Sequence, residues 1–253
     1  MIDTILSVVG NPSAFTAIWE WFLEVLNSFY KAFFYNQRYL IYLEGLGNTL
    51  IIALGSCIMG IIIGFLVTYV KIMPQTNLGV KILAKIANLY TTIIRGTPVF
   101  VQLLIMYFSI LSFMANFWNG IPIAIIVFGL NSGAYVSEII RGGLLGVDRG
   151  QMEAGRSLGL SWGQTMRLVV MPQGIKSSVP SLFNEFIQLV KETSVAGAIA
   201  VMDLTKAGQI IVSQMFDTFP PLLITAVIYL IVVLGLQQVQ KVLEKKFAKG
   251  DRV

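Results

Sequence analysis

Histidine is absent from the 253 residues, and cysteine occurs once, at Cys57. Without histidine there is no Ser-His-Asp relay and no imidazole to bind zinc or shuttle protons near neutral pH; a single cysteine closes no disulfide within the chain. No catalytic residue and no metal ligand set is therefore assigned. Charge is also scarce, with Asp, Glu, Lys and Arg making up 12% of the chain. No G-x-x-x-x-G-K-[ST] phosphate-binding loop occurs, so any ATP and Mg are expected on another polypeptide, and no cofactor is assigned to this one. What is abundant is apolar. Hydrophobic residues make up 56% of the sequence and the mean hydropathy is +0.77, a composition for which water is not the main solvent. The net charge of +5 does not point to nucleic acid, because the basic residues are scattered between apolar runs instead of clustered beside exposed aromatics. The N-terminus has no basic first region followed by a small-residue cleavage site, so the whole chain is read as mature.

A helix needs roughly 20 apolar residues to cross the hydrocarbon of a bilayer. Five stretches approach that length: Leu46 to Val70, Pro98 to Phe117, Ile121 to Ile140, Val179 to Val201 and Pro220 to Val239. The expected fold is therefore all-α, a polytopic membrane protein with five transmembrane helices. Short loops rich in Lys and Arg stay in the cytoplasm. Such residues follow the first span (Lys71, Lys81, Lys85, Arg95), the third (Arg141, Arg149, Arg156, Arg167, Lys176) and the fifth (Lys241, Lys245, Lys246). This pattern places the N-terminus outside and the C-terminus in the cytoplasm of a multi-pass protein of the cell (inner, cytoplasmic) membrane. Residues 1–43 read as an extracytoplasmic or interfacial segment, because Trp19, Trp21, Phe22, Tyr30 and Phe34 interleave with Glu20, Glu24 and Lys31 and aromatic rings prefer the headgroup layer. Residues 44–245 form the membrane domain and 246–253 a cytoplasmic tail. The segment from Lys81 to Ile94 is amphipathic, fitting the inner surface or the start of a kinked helix. Thr97 is placed to cap the next helix, with Pro98 at its first position.

The stretch 147–172 between the third and fourth spans reads as two short helices. Asp148 followed by Gln151 has the capping-box spacing, Gly159 suits the left-handed stop, and Ser161 followed by Gln164 repeats the start signal. The second helix is expected to end before Pro172. A loop with matched start and stop signals has a defined shape, which fits an element that docks onto a cytoplasmic partner; a helical hairpin lying on the headgroups is the alternative.

Within this loop Glu153-Ala154-Gly155, then Gly159, then Val169-Val170-Met171-Pro172 resembles the EAA loop of ABC importer permeases, with Gly155, Val169 and Met171 as small or apolar departures from its pattern. Arg95-Gly96-Thr97-Pro98, the run from Ala134 to Gly143, Ser157-Leu158-Gly159-Leu160, Pro172-Gln173 and Lys191-Glu192-Thr193-Ser194 extend the resemblance to the polar amino-acid (histidine, glutamine, arginine type) permease branch over roughly residues 40 to 245. The resemblance implies a type I ABC importer permease-like fold. It also implies that Glu153, Ala154, Gly155, Arg156, Ser157 and Gly159 form a coupling helix seated on a separate ATPase. The partners it implies are two ABC ATPase subunits, a second permease copy (homodimer, or heterodimer with a paralogue), an extracytoplasmic solute-binding protein and an amino-acid substrate.

The fourth span carries ionisable groups, which at roughly 2.5 to 3.5 kcal/mol each on insertion scales usually face protein or a hydrated cavity. At helical spacing Ser177, Ser178, Ser181, Asn184, Glu185, Gln188, Lys191 and Glu192 fall within about 140° of one another, with Leu182, Phe183, Phe186, Leu189 and Val190 opposite. Ser181, Asn184, Glu185, Gln188, Lys191 and Glu192 are the candidate substrate pathway. Buried hydrogen bonds that only glue helices together explain any one of them but not the whole stripe. By resemblance Glu185 matches a cavity-facing position, and a carboxylate there suits a cationic amino acid such as arginine, lysine or histidine, or equally the α-amino group that all amino acids share. Arg95, Thr97 and Pro98 are a candidate cytoplasmic gate, although a membrane anchor also accounts for Arg95. Gly60 and Gly64, and the spacing Gly142, Gly146, Gly150, are expected to allow close helix packing. The competing class is an ion-coupled secondary transporter or channel, which would need no ATPase.

Overall fold

The computed structural model describes residues 12–112 and 120–249, and the regular elements among them are all helical. In chain order they are α1 Pro12–Phe33, α2 Tyr39–Ile72, α3 Leu78–Gly96, α4 Val99–Ile105, α5 Gly120–Leu145, α6 Arg149–Ser157, α7 Trp162–Thr165, α8 Met171–Glu192, α9 Leu204–Met215 and α10 Phe219–Lys249. Three of these, α2, α5 and α10, are each long and apolar enough to cross a bilayer, and two bent pairs raise the number to as many as five. The first, third and fifth expected spans lie inside those three helices. α2 also takes up residues 39–43.

The second and fourth expected spans differ from the structure. The region from Pro98 does not form one straight helix: α3 and α4 meet at 104°, α4 passes into a wider π turn at Met106–Ile110, and residues 113–117 lie outside the described ones. Thr97 is extended, as the residue before a proline must be. Its hydroxyl donates back to Ile93 O at 2.9 Å and so closes α3 instead of capping α4, while Pro98 sits just before the first helical residue. Gln102 braces this corner, donating through Nε2 to Ile94 O at 2.8 Å and accepting through Oε1 from Asn131 of α5 at 3.0 Å. The fourth span begins at Met171, not Val179, loosens into a 3-10 segment at Thr193–Ile199 and turns by 50° into α9.

The frame is α2 laid along α5. A Cβ at Gly60 would lie 2.8 Å from Ser132 Oγ, and one at Gly64 would collide with Val136 Cγ1, so both glycines allow the close approach expected of them. Among the described residues Gly142, Gly146 and Gly150 meet no neighbouring helix. That role passes to Gly143 and Gly174, whose missing side chains make room for Ser178 and Leu144 where α5 crosses α8.

At the basic end of this frame Glu138 does more than pair with Arg141. Its Oε2 accepts from Arg141 at 2.7 Å while Oε1 accepts from Lys71 Nζ at 2.7 Å, and Lys71 also donates to Thr91 Oγ1 at 2.7 Å. One buried ammonium thus ties α2, α3 and α5 together. Breaking a buried pair on one side costs about 3 kcal/mol. Lys71→Met is expected to lower thermal stability accordingly and Lys71→Met/Glu138→Gln to recover part of the loss; a Lys71→Met protein that melts with the parent would show that the tie contributes nothing.

At the other end α1, over its described residues, is not among the helices long and apolar enough to cross. It is attached by aromatic contacts, Phe29 edge-on to Phe219 at 6.1 Å and Phe33 stacked on Tyr42 at 6.0 Å. Left-handed backbone at Asn36 and Gln37 turns the chain into α2, and Arg38 holds the turn by donating to Lys31 O and Gln214 Oε1.

Candidate functional site

The hairpin of α6 and α7 is built by short-range rules. Asp148 Oδ1 accepts from Gly150 N at 2.6 Å, which caps α6, but the expected reciprocal bond from Gln151 is not made; Gln151 instead accepts from Gln173 Nε2 at 3.1 Å. Gly159 has φ +85° and stops α6 as expected. At Ser161 the capping box is complete, with Gln164 N donating to Ser161 Oγ at 3.3 Å and Ser161 N to Gln164 Oε1 at 2.8 Å. The two helices touch at Gly155, where a Cβ would collide with the fully buried Thr165. Glu153, Ala154, Arg156, Ser157 and Gly159 face outward, beside Leu158 at 83% exposure.

The second helix does not end before Pro172. α7 passes through a π turn at Met166–Val170 directly into α8. A proline at this point lacks an N–H and would press its ring on the carbonyl four residues back. The widened turn, in which Met171 N donates to Met166 O, accommodates it without breaking the helix. The hairpin is therefore the root of the helix that carries the polar stripe.

Along α8 the residues Ser177, Ser181, Asn184, Gln188 and Lys191 are all exposed, and their alternating spacing of four and three puts them on one face. Glu185 and Glu192 flank this face half-buried. Glu185 Oε1 accepts from Ser132 Oγ at 2.8 Å, and Ser132 is fully buried against Gly60. Glu192 accepts from Gln188 Nε2 at 3.1 Å. Ser178 leaves the stripe: it is buried and donates to Gly174 O at 2.7 Å. Leu189 and Val190 are buried on the opposite side as expected. Polar side chains exposed along a membrane helix need water or a partner to satisfy them. A cleft of about 770 Å³ opens where the stripe begins, floored by Gly142, Gly143 and Gly146 and flanked by Ser177, Lys176 and Glu244.

Arg95, Thr97 and Pro98 stand together at the corner between α3 and α4, with the Arg95 guanidinium 5.3 Å from the Tyr135 ring centre. The corner reaches the stripe through α5, because Gln102 binds Asn131 and Glu185 binds the next residue, Ser132. Sequence reading missed Gln102, Asn131 and Ser132. The only local signal was the pair of adjacent polar residues inside an apolar span.

Residues 60–249 match the family model described as "Binding-protein-dependent transport system inner membrane component". An arginine transport system permease protein of Bacillus subtilis is 36% identical over 213 residues, covering 83% of this chain and 93% of the relative. A Rickettsia prowazekii permease that carries a glutamine-transport name is 37% identical over 212 residues, covering 84% of this chain and 95% of the relative. Among solved structures, a crystal structure of an amino acid ABC transporter with histidines superposes with a TM-score of 0.75 at 34% identity, over 81% of this chain and 94% of that one. An inward-facing methionine ABC transporter chain superposes with a TM-score of 0.71 at 18% identity, over 82% of this chain and 96% of that one, a likeness of fold alone.

Proposed function

The chain belongs to the binding-protein-dependent transport system inner membrane component family, as an amino-acid ABC importer permease subunit, and we propose that it carries the solute path along α8 and couples that path to an external ATPase. The observation that carries this reading is the continuity of the hairpin's second helix with α8, whose exposed polar face is flanked by Glu185. A push on Glu153, Ala154, Gly155, Arg156, Ser157 and Gly159 passes through the Gly155–Thr165 contact to α7, which runs into α8 as one helical rod. Among the described residues of one chain nothing covers the face of Ser181, Asn184, Gln188 and Lys191. A second permease copy, identical or a paralogue, would close it into a path, with Glu185 and Glu192 at its edge.

In the working assembly two ATPase subunits hold ATP and Mg and an extracytoplasmic solute-binding protein delivers the amino acid. The N-terminus lies outside, the C-terminus and hairpin in the cytoplasm, and the protein resides in the cytoplasmic membrane. Glu185 favours a cationic amino acid, a preference supported by the similarity to an arginine permease and to a transporter solved with histidines. Arg95, Thr97 and Pro98 form the inner corner through which Gln102 and Asn131 sense the state of α5.

Reconstitution with the neighbouring ATPase, the second permease copy and the binding protein is expected to give ATP-dependent uptake of amino acids, highest for arginine, lysine or histidine. Uptake at full rate without any ATPase would identify the chain as an ion-coupled transporter and end this reading.

A further inference from the structure

An apolar groove of about 420 Å³ lies apart from the polar stripe, where α7 runs into α8 beside α2 and α5. Leu66 and Tyr69 of α2 and Leu144 of α5 line it from the bundle, and Trp162, Met166 and Arg167 line it from the hairpin. Its α2 wall ends a stripe of Ile58, Ile62, Leu66 and Tyr69, each more than half exposed, whose spacing of four, four and three keeps them on one helix face. On a helix long and apolar enough to cross a bilayer, such a face meets acyl chains, and here it leads into the groove. The hairpin wall brings a charge. Lys71 and Arg141, at the same end of the bundle, are both engaged by Glu138. Arg167 is exposed and, among the described residues, makes no hydrogen bond or ion pair. Beside it stands Trp162, a residue type that favours the headgroup layer. No acidic residue lines the groove among the described residues, so a headgroup with net negative charge is favoured over a zwitterionic one.

We infer that this groove binds an anionic phospholipid of the cytoplasmic leaflet, with an acyl chain between α2 and the hairpin and the phosphate on Arg167. An aliphatic slot ending on an unpaired guanidinium matches a hydrocarbon chain ending in a phosphate, and the unbranched Met166 side chain adapts to a chain of no fixed shape. Met166 and Arg167 belong to the π turn that joins α7 to α8, so the lipid holds that joint against α2. The cytoplasmic placement of this end rests on the reading above.

The test is native mass spectrometry of the assembled transporter, released from phosphatidylcholine vesicles that contain a rising fraction of phosphatidylglycerol. The parent is expected to retain one phosphatidylglycerol per copy of this chain. Arg167→Gln should raise the fraction needed for half retention by about 5-fold, the worth of one basic residue at an anionic surface. Arg167→Lys keeps the charge and should bind nearly as the parent, while Lys245→Gln, the same loss of charge on α10 outside the groove, should change nothing. Gly163 also lines the groove, and a Cβ there meets nothing within 4 Å, so Gly163→Phe should fill the slot without a clash and abolish retention. Phosphatidylglycerol held equally by the parent, Arg167→Gln and Gly163→Phe overturns the inference. So does phosphatidylcholine held as well as phosphatidylglycerol, or Gly163→Cys that cross-links to an ATPase or to the second permease copy. Retention needs no turnover, so uptake at full rate without any ATPase would end the permease reading and leave this site standing.

Discussion

Glu185→Gln is expected to reduce arginine uptake by at least about 30-fold, because removing one partner of a desolvated charge pair costs about 2 kcal/mol or more and each 1.4 kcal/mol is tenfold. The exchange keeps shape and hydrogen-bonding reach, so the helix and its contact with Ser132 remain possible. Uptake of a neutral amino acid such as glutamine should fall far less. Ser132→Ala is expected to fall between the two, since it leaves the charge and removes only the 2.8 Å bond that aims it. Radiolabelled uptake in proteoliposomes, normalised to incorporated protein, checks all three. Arginine transport that survives Glu185→Gln intact would end charge recognition at this position.

Gly155→Leu is expected to abolish ATP-driven uptake. A Cβ alone at this position collides with Thr165 Cγ2, and forcing extra methylenes into a tight contact costs about 1 to 3 kcal/mol. The hairpin is small, and Gly155 is where α6 meets α7, so α6 is expected to shift and lose its fixed angle to α7. Gly155→Ala is the milder case and has a specific remedy: Thr165→Ser deletes Cγ2 and keeps the hydroxyl that donates to Ser161 O at 3.0 Å. The double variant should regain most of the uptake lost by Gly155→Ala. Equal activity of Gly155→Leu and the parent, at equal ATPase binding, would show that the hairpin's shape does not transmit the stroke.

Much of this could be read from residues alone. The apolar runs identified a membrane chain, the absence of histidine excluded a Ser-His-Asp relay, and the positions of α2, α5 and α10 follow from run length. Gly159 and the Ser161–Gln164 box are local signals and the structure contains both. The stripe on α8 is legible because helical periodicity converts spacing into direction. Where the sequence misled, a local rule met a competing partner. Pro172 reads as a stop, yet a π turn absorbs it; Thr97 reads as an opening cap, yet its hydroxyl finds the carbonyl behind it; Asp148 and Gln151 have box spacing, yet Gln173 takes the glutamine.

Sequence by itself determined the solvent of this protein, the helical class, the capped hairpin and the polar face, because each depends on composition or on neighbours within about two helical turns. Only the tertiary structure decided that Ser132 aims Glu185, that Lys71 joins Glu138 and Thr91, that Gln102 locks a corner onto Asn131, and that the hairpin's second helix and the stripe share one rod. The reason is physical. Those bonds join residues from separate helices, or depend on one turn widening under a proline, and no periodicity along the chain encodes which helices will lie side by side.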